Sequence, residues 1–522
     1  MKKIIYLFTV SVLSVLFTAC DVLDLKPEDY YASGNFWQNE AQVDAFALGL
    51  HAGLRNSYQN MMFTLGEARG GTQKNGTTFQ NSSIDMSSPI KNNSFTKDNT
   101  GISSWYGLYG NILQINHFIE QLENGTTFLS TNQRNYYLGQ AYGLRAFYYF
   151  YLYRTFGGVP IIKEVKVLQG QVVAKNLYTP RSSAKETFDF IKDDINKSEA
   201  SFGTQTNIKN NKGQWSYYAT KMLKGEIYLW SAKVTTGNQT PAASDIQTAE
   251  TALQDVLNTS SFGLMDNYAD VFEYSKKGNK EVILAMRFAD GEASNGISSF
   301  SYQIPLFVNV FYDREGNLIT TDILRIISTV VQRHEYKTGF FNSYDDKDSR
   351  KRSIFYDAYN TNGDLMGTVV VKYNGMVNAQ GSRSWSDDLV VYRLADAILM
   401  MAEIKNMQGQ PVNTYINQIR QRAYGINYVA ATHGYVNSDF ATNELAILKE
   451  RDKEFVLEGK RWFDIRRMQQ SKDGQPLAFS ASANYEDANP IIDPAKPYLL
   501  LWPIDINTLN NDPELTQTEG YN

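Results

Sequence analysis

The chain has 522 residues, 43% hydrophobic and 20% charged, with 50 Lys and Arg against 55 Asp and Glu. A net charge of −5 without basic runs gives nucleic acid no electrostatic footprint, so no nucleic-acid partner is expected. The length supports a large core, and an aromatic content of 13%, with 34 Tyr and 28 Phe, leaves rings free to meet a ligand.

The chain opens as a targeting segment. Lys2 and Lys3 precede an apolar run from Ile4 to Phe17, too short for a stable membrane span, so residues 1–19 read as a cleaved signal. Thr18 and Ala19 lead into Cys20, the pattern of a bacterial lipobox, in which the cysteine becomes the acylated first residue. Cys20 is the only cysteine, so no internal disulfide is possible, and its place is best explained as a lipid anchor in a membrane. No later segment reaches transmembrane length.

Apolar residues at helical spacing then dominate. Residues 38–56 carry Val43, Phe46, Ala47, Leu50 and Leu54, and residues 103–123 carry Trp105, Leu108, Ile112, Ile115 and Ile119. Residues 133–156 are apolar or aromatic on almost every side, which predicts a helix buried all round. Gly157, Gly158 and Pro160 stop it. Pairs follow: 181–200 after the central helix, 216–233 with 244–258, and 391–407 with 411–424. Alanines such as Ala219, Ala249, Ala252, Ala402 and Ala423 let helices approach closely. The expected fold is mainly α, built of tetratricopeptide-like helical pairs over about 38–60, 103–258 and 391–470, with minor β. Residues 66–104 and 289–388 form the loop-rich, irregular portion, where runs such as Thr368 to Lys372 suggest short strands.

Enzymatic signals are poor, and no catalytic residue, metal site or cofactor is expected. Gly459-Lys460 lacks the rest of a phosphate loop, and no Gly-x-Ser-x-Gly elbow occurs. His51, His117, His334 and His433 make no zinc pair, and Asp345, Asp346 and Asp348 lack the glycine and closing glutamate of a calcium loop. Sugar binding needs rings against C–H faces with planar polar groups beside them. Aromatics in polar loops meet that need: Phe79 and Trp105 with Arg69, Gln73 and Asn75; Phe300, Tyr302, Phe311 and Tyr312; and Trp385. The competing reading makes Trp105 a core anchor at a helix start and Trp385 packing against the helix that follows it. The strongest charged motif holds Arg451, Glu454, Glu458, Arg461, Asp464 and Arg466 at three- and four-residue steps. It reads as a ladder of ion pairs along one helix, or else as a surface that grips a partner.

Several stretches together resemble the SusD/RagB family of nutrient-uptake lipoproteins. They are Cys20 to Glu28 (CDVLDLKPE), Phe36-Trp37, Gly143 to Phe150 (GLRAFYYF), Phe156 to Pro160 (FGGVP), Tyr392 to Asp396 (YRLAD), Ile416 to Ala423 (INQIRQRA), Glu458 to Arg466 (EGKRWFDIR) and Trp502 to Ile504 (WPI). Their order spans nearly the whole chain, and departures concentrate in the loops at 66–104 and 290–390. The resemblance implies one domain over residues 20–522, anchored at the bacterial outer membrane. Asp21 and Asp24 resemble the signal that sends Bacteroidetes lipoproteins to the cell surface. It implies capture of an oligo- or polysaccharide for a SusC-like TonB-dependent outer-membrane transporter, without catalysis. A peptide-binding RagB-like role, an all-helical surface glycoside hydrolase and a protein-binding helical scaffold are the alternatives.

Overall fold

A computed structural model of the chain describes residues 36–76, 88–102, 104–170, 173–327, 330, 332–486 and 488–521. The expected signal, Cys20 and Phe79 lie outside them. No helix among the described residues is long and apolar enough to cross a membrane.

Ten helices carry the architecture, and most follow the periodicity of the sequence. α1 (Glu40–Asn60) starts at Asn39, whose side chain accepts from the Gln42 N–H, and buries Val43, Ala47, Leu50, Leu54 and Tyr58. α2 (Leu108–Asn124) begins five residues later than the apolar pattern, because Trp105 and Gly107 both take positive φ, 53° and 70°. α3 (Thr131–Phe156) opens with a capping box of Ser130 and Gln133 and is buried almost continuously from Tyr136 onwards. Gly157, at φ 79°, ends it. α4 (Ala184–Phe202) repeats the box with Ser183 and Glu186. α5 (Tyr217–Lys233) and α6 (Asp245–Leu257) complete the first half. α7 (Leu394–Met407), α8 (Asn413–Tyr424), α9 (Phe440–Glu454) and α10 (Arg461–Arg467) form the second. The mainly α expectation holds.

α3 is the hub. Gly143 has no side chain because the Trp215 ring lies against it; a Cβ there would come within 2.1 Å of Trp215 Nε1. Arg145 clasps Asp194 of α4 through two bonds of 2.7 and 2.8 Å and reaches Asn116 of α2 at 2.9 Å. Arg154 reaches Glu226 of α5 at 2.6 Å.

Among the described residues the β-structure is four antiparallel two-stranded ribbons. β1 (Gln73–Asn75) pairs with β3 (His334–Tyr336), and β2 (Val282–Met286) with β8 (Leu389–Arg393). β4 (Phe355–Tyr359) pairs with β5 (Leu365–Val370), and β6 (Met376–Val377) with β7 (Arg383–Ser384). A satellite core of Tyr302, Phe307, Phe311, Ile319, Leu324, Ile326, Ala358 and Val369 stands under the middle loops, apart from the main core.

The charged motif departs from a single helical ladder. The chain breaks between α9 and α10, with Leu457 at φ 55° and Gly459 at φ 70°, and the charges point inward. Arg393, fully buried, donates to Glu458 at 2.8 Å, Glu281 at 2.8 Å and Glu454 at 2.6 Å. Glu454 also takes Arg350 and Arg422, and Glu450 takes Arg350 and Arg420. Burial alone would raise the Glu454 carboxyl, but Arg422, Arg393 and Arg350 hold it well below the usual carboxylate range. The network therefore joins β8, α8, α9 and the approach to β2.

Removing one member of such a cluster strands the rest. Arg393→Met should destabilise the protein by about 3–5 kcal/mol in urea unfolding. A loss below about 1 kcal/mol would show that these carboxylates find other partners or water.

Candidate functional site

The structure separates the sequence-selected residues into buried and accessible groups. Arg69 is buried: its guanidinium lies 3.9 Å from the Trp462 ring and 4.0 Å from the Trp502 ring, and it donates to Asn93 at 2.7 Å and to the Leu499 carbonyl. It is a clamp between two tryptophans, with no surface to offer. Tyr302 and Phe311 belong to the satellite core, Tyr302 stacked on Phe307 at 4.1 Å with its hydroxyl on Asp322. The burial that these three side chains need for packing removes them from contact with an external ligand. Gln73 is also buried, opposite Tyr336.

The other selected residues reach the surface in separate places. Trp105 is half-buried, edge-on to Phe156 at 5.1 Å and to Tyr109 at 5.9 Å, in a cleft of about 660 Å³ with Leu113, Pro160, Lys163 and Asp512. Tyr312 exchanges both backbone bonds with Tyr359, at 2.9 Å each, and lines a polar groove with Arg314, Asn342 and Asn362. Trp385 is half-buried against both cores. Asn75 stands at the end of β1 opposite His334 and accepts from Lys91 at 2.9 Å.

The β1–β3 ribbon brings the two irregular regions, 66–104 and 289–388, side by side, and a cleft of about 250 Å³ opens beside it. Three rings form it: Phe63 to His334 at 4.4 Å, Phe300 to His334 at 5.2 Å, and Phe63 to Phe300 at 5.3 Å. Gln59, Asn60, Thr64, Ser88, Lys91 and Ser299 complete the lining. The wall is fixed by the Gly296 N–H, which donates to Gln59 Oε1 at 2.8 Å.

Phe63 owes its position to a π-helical turn, Met61–Leu65, that continues α1. The wider turn keeps Met61, Met62 and Leu65 buried while Phe63 is half-exposed. Met-Met-Phe-Thr-Leu carries no sign of this; it reads as more helix. His334 and Lys91 were equally hidden, because their meeting depends on a pairing more than 240 residues apart in sequence, in which Lys91 also donates to the Arg333 carbonyl. Burial first, then the charges of Lys91 and Arg333, push the His334 imidazole down to about 3, so it is neutral at physiological pH. Its Nδ1 has no partner within the protein among the described residues. The cleft thus offers apolar faces, an uncharged imidazole, two amides, hydroxyls and one ammonium. That set can stack on a sugar ring and bond its hydroxyls. No group of three or more His, Cys, Asp or Glu that could hold a metal occurs among the described residues.

Comparison with known proteins gives two family matches: the SusD family over residues 253–521, and the family described as starch-binding associating with outer membrane over residues 21–223. A SusD-like protein of Formosa agariphila is 25% identical, the match covering 99% of each chain. The starch-binding protein SusD of Bacteroides thetaiotaomicron is 22% identical over 78% of this chain and 76% of its own. Among solved structures, a SusD superfamily protein of Bacteroides fragilis superposes with a TM-score of 0.86 at 40% identity, covering 93% of this chain and all of that one. B. fragilis NanU superposes with a TM-score of 0.82 at 32% identity, covering 95% of this chain and all of its own.

Behind the cleft, Glu67 is fully enclosed. The Tyr336 hydroxyl donates to its Oε1 at 3.0 Å, while Oε2 has no partner within the protein. Burial outweighs this bond and raises the carboxyl from 4.5 to about 8, so Glu67 is protonated at neutral pH. In the unfolded chain it ionises near 4.5, so its contribution to stability is complete below that pH and lost as pH rises toward 8. Relative to the native chain, Glu67→Gln should therefore gain stability from pH 5 to pH 8, by up to about 4 kcal/mol. Parallel stability profiles for the two proteins over this range would show that Glu67 is ionised in the fold.

Proposed function

The chain belongs to the SusD family, and from that premise we propose that it is a non-catalytic, glycan-binding lipoprotein of the outer membrane. It captures an oligo- or polysaccharide and passes it to a SusC-like TonB-dependent transporter. The observation that carries the binding role is the ring-lined cleft at the β1–β3 ribbon, where Phe63, Phe300 and His334 stand beside Gln59, Asn60 and Lys91. The family description that speaks of starch binding and the outer membrane covers residues 21–223, which include Phe63 and Lys91. Cys20 is the anchor in this reading, with Asp21 and Asp24 directing the chain outward. A lipid anchor agrees with helices too short or too polar to span a membrane among the described residues.

The neutral imidazole and the single ammonium suit a ligand rich in hydroxyls. A sugar ring would lie on Phe63, with the buried Phe300 packed behind it, and the amides of Gln59 and Asn60 would bond its hydroxyls. Trp105 and Tyr312 extend aromatic surface elsewhere on the molecule and serve as comparison positions.

A soluble form beginning at Asp21 should bind members of an oligosaccharide panel in calorimetry and return them uncleaved. Phe63→Ala should weaken that binding about tenfold, equivalent to the ~1.4 kcal/mol expected of one stacking ring. Trp105→Ala and Tyr312→Ala should leave it within about twofold. Binding confined to peptides would replace the glycan reading with the RagB-like one. Saccharide binding that survives Phe63→Ala but not Trp105→Ala would move the site to the other cleft.

A further inference from the structure

A cavity of about 1270 Å³ opens at the end of α3, and none of its lining residues lines the ring-lined cleft. Its walls are the end of α3 at Phe156–Gly158, the first turn of α4 at Ser182–Ala184, the chain after α5, the exit of α10 and the last residues of the chain. Two arginines line it. Arg181 donates to the carbonyls of Phe156 at 2.6 Å, Gly158 at 2.7 Å and Thr516 at 3.0 Å, and to the Thr518 hydroxyl at 3.3 Å. Arg466 donates to the Arg154 carbonyl.

Neither arginine has a carboxylate partner among the described residues. This sets Arg466 apart from its neighbours, since Arg461 takes Asp452 and Arg467 takes Glu403 and Asp464. The carbonyls at the end of α3 carry only the partial negative charge of a helix C-terminus, so two full positive charges face roughly half a negative one. Burial, and for Arg466 the charge of Arg154 beside it, lowers these guanidiniums to about 10 and about 9, yet both remain charged at neutral pH. The first turn of α4 borders the same space, its N-terminal partial charge already met by Glu186 in the capping box. The acidic lining residues, Asp473 and Glu519, are both exposed.

Two buried side chains of the lining also keep unused polar atoms. Arg466, 3% exposed, has a free Nε, and Gln469, 5% exposed, has a free Oε1. Buried polar atoms without partners are rare in folded proteins, and two on one cavity wall call for a ligand or ordered water to meet them. Water would satisfy the amide but not the excess positive charge.

We propose that this cavity is a second ligand site, separate from the ring-lined cleft, which takes a small organic molecule bearing an oxyanion. The carboxylate or sulfate group sits on Arg181 and Arg466, and Gln469 Oε1 accepts from a hydroxyl or amide of the same ligand. The cavity has room for a pyranose-sized body beyond the anionic group. Arg466, whose Nε has no partner, offers the planar fork that oxyanions bind, while Arg181, with most of its N–H groups already donated, adds its charge and one remaining N–H.

The test uses the full chain in detergent, with sodium sulfate and glucuronate as probes against sodium chloride at matched ionic strength and glucose. Saturable heat is expected with sulfate and glucuronate, at millimolar affinity or tighter, and none with chloride or glucose. Crystals of the native chain grown with selenate should show anomalous density between Arg181 and Arg466. Arg181→Gln should weaken both probes at least tenfold without changing oligosaccharide binding at the Phe63 cleft. Arg466→Lys, which keeps the charge but loses the fork, should weaken them less. Absence of saturable binding, or selenate only at other places on the native chain, would overturn the proposal without touching the glycan reading. Affinity unchanged in folded Arg181→Gln would overturn it as well.

Discussion

The Arg393 cluster sets the terms for the rest of the molecule. One fully buried guanidinium faces Glu281, Glu454 and Glu458, and those carboxylates are shared with Arg350, Arg422 and Lys372. Charges at this depth are tolerable only when every partner is in place, so the elements that supply them cannot shift independently. β8, α8, α9, the turn at Leu457 and Lys372 after β5 are thereby held in one arrangement. The ring-lined cleft draws on it, because Leu457 forms part of its wall and the Leu457 N–H donates to the Tyr336 hydroxyl at 3.2 Å. A rigid charged core thus stands directly behind a surface assembled from loops.

A second constraint connects loop and core by contact alone. Gly66 and Gly459 pass so closely that a Cβ on Gly66 would lie 2.3 Å from the Gly459 carbonyl oxygen. Bare backbone at this crossing lets the π-helical turn carrying Phe63 sit immediately beside the break between α9 and α10. Glu67 follows at once, protonated and fixed by Tyr336, which places an uncharged carboxyl where an ionised one would face Asp452 and the carboxylates beyond it. The cleft is therefore supported by three unlike devices: a packed backbone crossing, a neutral acid and an ion-pair cluster.

The helices were legible because their signals are local. The stripe of Val43, Ala47, Leu50 and Leu54, the all-round apolarity before Phe156 and the Gly-Gly stop depend on neighbours within a few residues. Capping boxes at Ser130 and Ser183 place the starts within a few residues of the apolar pattern. The charged motif was legible as structural, but its direction was not, since a three- and four-residue spacing looks alike whether the charges face water or one another. Ligand candidates fared unevenly for a related reason. Arg69 stands in a polar, glycine-rich stretch, and nothing nearby announces that Trp462 and Trp502 will close over it. Tyr302 and Phe311 likewise read as loop aromatics until the satellite core gathers them. Asn75 and Phe300 were reached from sequence because the loops that carry them do converge, while Phe63 was lost to a helix that changes its pitch.

The end of α3 carries a consequence for how the chain is made. Its carbonyls are met by the Trp502 N–H at 2.8 Å, by Arg466 and by Arg181, and Arg181 is itself held by Thr516 and Thr518. The Thr179 N–H, two residues before Arg181, donates to Asp512 Oδ2 at 3.1 Å. The most buried helix of the first half is thus finished by residues more than 300 positions further along the chain. Partners separated by more than 300 positions close slowly, because a long stretch of chain must be ordered before they meet. A chain of this design has no completed first half to lock early, because the end of α3 waits for residues 502–518 to dock.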